Sequence, residues 1–198
     1  GNQLTFTGGG ELDNGLTVGI SFVLDQGDNA TAAAGPFDGH SVSISSDSMG
    51  KLVMHGEGGS SAQAAIDTTA AGDIWDTFDG TTTGTAVSTS ASNADIMVYT
   101  LPSMVDDLTV TASYSPQQDN ADTASSTAWA LSYTGVEGLT AKYGQGDAST
   151  GVSTTEADAT SMSASYAYGS FTVAYSNHDY ATAVANKDQE TTSYKVSY

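Results

Sequence analysis

The 198 residues carry 4 lysines, no arginine and 23 acidic side chains, for a formal net charge of −19. So negative a chain repels nucleic acid and anionic lipid surfaces, and suits metal cations and salty water. There is no cysteine, which excludes disulfides, thiolate metal sites and cysteine nucleophiles, and no run approaches the roughly 20 apolar residues of a membrane helix.

The apolar residues are ordered rather than scattered, and the chain resolves into about eleven strand candidates with a period of two. Gly1 leads straight into Leu4-Thr5-Phe6-Thr7 with no secretory signal visible, so on export the signal is expected to have been removed or to lie outside this sequence. After the turn Asp13-Asn14-Gly15 comes the clearest strand, Leu16 to Leu24. Leu16, Val18, Ile20, Phe22 and Leu24 fall on one face, and Thr17, Gly19 and Ser21 on the other. A long polar connection from Gln26 to Gly39 precedes a hairpin over Ser41 to Glu57, turning at Asp47-Ser48-Met49-Gly50. Strand character resumes at Ile96, and Val105-Asp106-Asp107 turns into Leu108 to Tyr114. Pro116 to Thr127 reads as a loop, and Val136-Glu137-Gly138 as a turn into Leu139-Thr140-Ala141. Gly144 to Ala159 is a further long connection. Met162 to Tyr168, the turn Gly169-Ser170 and Phe171 to Tyr175 form the next hairpin. Asn177 to Glu190 is the last long connection, before Tyr194 to Tyr198.

Short turns thus alternate strictly with long polar loops. That ordering is expected of an antiparallel transmembrane β-barrel with one rim in the periplasm and the other outside. The apolar faces carry aliphatic residues in mid-strand and Tyr114, Tyr143, Tyr166, Tyr168, Phe171 and Tyr175 toward the ends, as a bilayer interface selects. The opposite faces carry Thr, Ser, Gly and Ala. Periodicity alone leaves open whether they line a pore or meet solvent.

One connection is out of scale. Residues 58–93 abandon alternation, and segments this long are usually functional or disordered. Ile66, Ile74, Trp75 and Phe78 supply apolar anchors, Ala62 to Ile66 reads as a short helical turn, and Asp67, Asp73, Asp76 and Asp79 have no basic residue among them.

In this order the segments resemble the general trimeric, sixteen-stranded outer-membrane porins of Gram-negative bacteria. The hairpins Leu4–Leu24 and Ser41–Glu57 resemble that family's strands two to five. The glycine-rich Gly56-Glu57-Gly58-Gly59, with the Asp- and aromatic-bearing segment after it, resembles the family's inward-folded third loop. Ile96 to Tyr198 would supply strands six to twelve. The resemblance implies one barrel domain over residues 1–198, lacking the first and last strands, in the outer membrane, embedded among lipid and lipopolysaccharide. It implies a homotrimer passing ions and small hydrophilic solutes, with 58–93 as the constriction loop bearing Asp67, Asp73, Trp75, Asp76, Phe78 and Asp79. The family's row of wall arginines has no counterpart here.

Strand parity places Lys51, His55, Lys142 and Lys195 on the inner face, and Lys187 in an external loop. These four inner groups are expected to form a weak basic wall opposite the acidic loop, giving a cation-preferring channel. No catalytic constellation emerges. His40, His55 and His178 lack a nucleophile elbow, Gly8-Gly9-Gly10 lies inside a strand rather than a phosphate loop, and Asp106 with Asp107 sits in a turn. No cofactor is called for, beyond Ca²⁺ at the acidic loops bearing Asp119, Asp122, Glu156 and Asp158. The competing account is a secreted, acidic, calcium-binding β-rich adhesin.

Overall fold

Tight turns set the fold, and in each of the five named above one residue takes the left-handed conformation. These are Gly15 (φ 81°), Gly50 (75°), Asp107 (60°), Gly138 (78°) and Gly169 (59°). Glycine does this without steric cost, and Asp tolerates it. At Gly50 the demand is absolute, because a Cβ there would run into the Thr100 carbonyl and lie 2.7 Å from Pro102 N.

The computed structural model describes residues 3–25, 37–67, 70, 90, 95–116, 125–147, 156–183, 185 and 188–198. Within them the turns join eleven strands: β1 (Gln3–Glu11), β2 (Thr17–Asp25), β3 (Phe37–Ser46), β4 (Gly50–Glu57), β5 (Ile96–Thr100), β6 (Leu108–Ser115), β7 (Ser126–Tyr133), β8 (Leu139–Asp147), β9 (Ala157–Tyr168), β10 (Phe171–Thr182) and β11 (Gln189–Ser197). Every strand pairs antiparallel with its neighbours in sequence, in one sheet ordered β1 to β11. The sheet is not closed: β1 and β11 do not pair with each other.

Cross-strand partners share a face, so the register defines two surfaces. One row runs across all eleven strands: Glu11, Thr17, Ser45, Lys51, Thr100, Thr111, Ala130, Gly144, Ser161, His178 and Thr191. Apart from Glu11, Lys51 and His178 its members are small or hydroxylic. The other face carries Leu4, Phe6, Ile20, Val42, Met54, Met97, Tyr99, Met162, Val173 and Val196, all exposed. Aromatic pairs brace that face: Phe6 stacks on Phe22 (4.8 Å), and Trp129–Tyr143, Tyr175–Tyr194 and Phe171–Tyr198 meet at 5.5, 5.3 and 4.7 Å. A sheet with its large apolar side chains bare on one face is built for lipid rather than for a second protein layer.

Two expectations need correction. The connections read from Gly144 to Ala159 and from Asn177 to Glu190 begin and end in strand, since β8 runs to Asp147, β9 starts at Ala157, β10 reaches Thr182 and β11 starts at Gln189. Their outer-face residues Gln145, Asp147, Asp158, Asn177, Asp179 and Glu190 are polar and Ala181 is small, so alternation vanishes while backbone pairing continues. Asp158, expected in a loop, therefore stands in β9 opposite Asp147.

Candidate functional site

The chain leaves β4 through Gly58 (φ 76°) and rejoins β5 through Asp95 (φ 60°), whose N–H donates to the Gly56 carbonyl at 3.3 Å. Two left-handed residues thus bracket the excursion and turn it over one face of the sheet. Gly59 is buried so closely that a Cβ there would press on the Ile96 side chain and lie 2.9 Å from His55 Cβ.

From Ser61 the segment lies against the wall. Ser61, Ala62 and Gln63 are 2%, 1% and 0% exposed. Ser61 begins a turn of 3₁₀ helix over Ala64–Ile66, its Oγ accepting the Ala64 N–H at 3.0 Å. Strand by strand, the wall supplies the partners. On β6, Ser113 Oγ accepts the Ala62 N–H at 2.9 Å. On β7, Ala128 and Ala130 pack with Ala62 and Ile66 in a small apolar core. On β8, Gly144 leaves room for Ile66, whose Cδ1 would be 2.8 Å from an added Cβ. On β9, Ser161 Oγ accepts Gln63 Nε2–H at 2.7 Å. On β10, Ser176 Oγ accepts the Ala70 N–H at 2.9 Å. The segment therefore crosses from β6 to β10 on the face of small residues.

The far limb returns to the same place. Ser90 donates its N–H to Gln63 Oε1 at 2.7 Å, and its Oγ lies 2.5 Å from Ser61 Oγ. Buried polar groups of this kind are costly unless bonded, and here the bonds run both within the loop and from loop to wall. Such hydroxyl-to-backbone bonds each contribute about 1 kcal/mol net and more in geometric definition.

The candidate residues distribute as follows. Asp67 follows the 3₁₀ turn on the loop. Asp73, Trp75, Asp76, Phe78 and Asp79 lie outside the described residues, as do Asp119 and Asp122. Lys51 and His55 (β4), Lys142 (β8) and Lys195 (β11) all fall on the loop-bearing face. Lys51 shares the row of Gly144 and Ser161, Lys142 shares that of Ser176, and His55 pairs with Ile96. Lys195 pairs with Ala174, nearer the turn rim. Glu156 and Asp158, with Asp147 and Asp188, border an open cleft of about 530 Å³. Asp147 there accepts from Thr127 N and Oγ1, and Asp188 from Thr182 N. Among the described residues no three His, Asp or Glu side chains converge as metal ligands would. Residue patterning missed Gln63, Ser113, Ser161 and Ser176, which make the loop's contacts. The three serines are polar residues of the wettable face and Gln63 a polar residue of the loop, with nothing local to mark them.

A family model described as Gram-negative porin matches residues 1–198. Among solved structures the chain is similar to an anion-selective porin from Comamonas acidovorans, at 17% identity and a TM-score of 0.65, covering 98% of this chain and 62% of that one. It is also similar to an engineered mutant of the Rh. blastica porin, at 14% identity and a TM-score of 0.53, covering 98% of this chain and 78% of that one. The chain thus spans less than two thirds of the Comamonas protein's length. No curated protein matches it. With a meander of antiparallel strands, one bare apolar face and a segment lying across the small-residue face, the chain belongs to the Gram-negative porin family of outer-membrane β-barrel proteins.

Proposed function

We propose that this chain forms wall and constriction of a passive diffusion channel for ions and small hydrophilic solutes, and that the channel prefers cations. The observation that carries this is the segment from Ser61 to Ala70, hydrogen-bonded across β6 to β10 on the small-residue face. A segment seated there stands in the lumen of a closed barrel and narrows it. Residues 58–93 are then the constriction loop, and Asp67, Asp73, Asp76 and Asp79 are its charge, facing a wall that offers Lys51, His55, Lys142 and Lys195. Selectivity follows the sign of the lining charge, and the whole chain carries −19. The Comamonas porin is anion-selective; at 17% identity its lining charges do not transfer to this chain. No enzymatic role is assigned. As in the family it resembles, the assembly is proposed to be a homotrimer among lipid and lipopolysaccharide.

Planar-bilayer recording of the full-length porin under a KCl gradient tests this. Stepwise, long-lived conductance with a reversal potential of cation sign is expected. The preference should fade as salt rises from about 0.1 to 1 M, because the screening length falls from about 10 to 3 Å. An anion-sign reversal potential would overturn the charge assignment. Folded protein without conductance would overturn the channel.

A further inference from the structure

The lysines of the wall are gathered toward one end of it. Every described strand runs between a short-turn end and a loop end, so each charge falls on one side of the segment that crosses the small-residue face. Lys51 follows the turn glycine Gly50, whereas the chain leaves for that segment at Gly58, past the other end of β4. Lys142 stands two residues turnward of Gly144, the β8 position on which Ile66 rests. Lys195 pairs with Ala174, two residues turnward of Ser176, whose Oγ accepts the Ala70 N–H. At about 3.3 Å per residue, each lysine lies about 7 Å or more to the turn side of the segment.

The acidic residues divide the other way. Glu11, Asp13, Asp47, Asp106, Asp107 and Glu137 belong to the turn ends, and the other 17 of the 23 lie, in sequence, at the loop ends or in the connections between them. Lys187 accompanies those 17, and Lys51, Lys142 and Lys195 accompany the six. Of the chain's −19, the loop side therefore carries −16 and the turn side −3. On the turn side of the lysine-bearing face itself, Glu11 is the one carboxylate among the described strands.

A lining of one sign concentrates its counter-ions and turns away its co-ions. Cations driven in from the loop side come from an enriched mouth, and the anions moving against them enter past the lysines, so both accumulate in the pore. Under the opposite voltage cations enter past the lysines and anions past the carboxylates, and the pore is depleted of both. We propose that Lys51, Lys142 and Lys195 make this channel a rectifier, passing more current when cations are driven from the loop side to the turn side than in reverse. The inference rests on the chain lining a cation-preferring channel, as proposed above, and gives that channel a direction.

The test records current–voltage curves of the full-length porin in symmetric KCl at about pH 8, where histidines are neutral. Orientation is read with Ser48→Cys, in the exposed β3–β4 turn of a sequence without cysteine. An uncharged, impermeant maleimide polymer then lowers the current only from the chamber the turns face. With the loop side positive, the current at about 0.1 M is expected to be about twice that of the opposite branch, and the branches should be nearly equal at about 1 M, as the screening length falls from about 10 to 3 Å. K51E/K142E/K195E should remove most of that excess and move the reversal potential under a KCl gradient further toward cation sign. Should this variant fail to assemble, K51Q/K142Q/K195Q decides, with about half of the excess lost. Equal branches in the wild type at the lower salt, the opposite order of branches, or an excess that survives in the variants overturns the proposal. With a cation-sign reversal potential, the channel proposed above then stands without it. An anion-sign reversal potential, or no conductance, overturns that reading and the rectifier with it.

Discussion

A Cβ placed on Gly146 would fall on the Ala128 side chain and within 2.8 Å of Ser90 Cβ and Oγ; one placed on Gly144 would lie 2.8 Å from Ile66 Cδ1. These glycines are the seat of the loop, and their missing side chains are the space it occupies. Gly10, also in a strand, has nothing within 4 Å of the same position. Gly146→Ala should therefore overpack the contact with Ser90, a strain of about 1–3 kcal/mol. The loop is held by a few hydrogen bonds and the sheet by a continuous ladder, so the loop should yield first. The expected outcome is altered single-channel conductance and more frequent closures, with a barrel unfolding temperature close to wild type, while Gly10→Ala changes neither. Unchanged gating in Gly146→Ala would mean that the Ser90 limb does not rest on β8. None of this could be read from the residues in sequence. Gly144 and Gly146 look like loop glycines after Tyr143, and Ser113, Ser161 and Ser176 look like any polar position of an amphipathic strand. Their roles arise only when β6 to β10 stand side by side.

At the scale of the element, the strands outlast their apolar pattern. Alternation reports which residues meet lipid, and it marked Leu16 to Leu24 and Leu108 to Tyr114 almost to the residue, against Thr17–Asp25 and Leu108–Ser115 in the structure. The same signal ended β10 at Tyr175, whereas pairing runs on to Thr182. Beyond Tyr175 the outer face carries Asn177 and Asp179, which no lipid would select, yet Asp179 pairs with Thr160 on one side and Glu190 on the other. Hydrogen bonding to both neighbours does not depend on what the side chains face. Amide hydrogen exchange of the detergent-folded barrel should thus protect Ser176 to Tyr180 as strongly as Thr172 to Tyr175. Fast exchange confined to Ser176 to Tyr180 would show that the sheet frays where its apolar face ends. The turns were legible throughout, because the left-handed conformations at Gly15, Gly50, Gly138 and Gly169 demand residues that sequence displays openly.

For the whole molecule, the two faces of the sheet divide the chemistry more sharply than composition suggests. The lysines among the described residues, Lys51, Lys142 and Lys195, all stand on the loop-bearing face, while the other face keeps its charges to Asp147, Asp158, Asp179 and Glu190 at the loop ends of β8 to β11. Between them lies a band without charge, crossed by Ile20, Val42, Met54 and Leu131. Val42 and Ser43 sit side by side in β3 and point to opposite faces. The pair therefore measures the two environments with the backbone held constant. An arginine in place of Val42 enters the uncharged band, where the cost is about 2–4 kcal/mol at the bilayer midplane. An arginine in place of Ser43 enters the face that already carries Lys51 and has water to solvate it. Denaturant titration of the full-length porin refolded into lipid vesicles should lower the stability of Val42→Arg by that amount and leave Ser43→Arg nearly unchanged. In bilayers Ser43→Arg should instead shift the reversal potential toward the anion side, which Val42→Arg cannot do from the lipid. Equal destabilisation by both would mean that neither face is a wet lumen, and the sheet would have to be packed on something other than lipid and water.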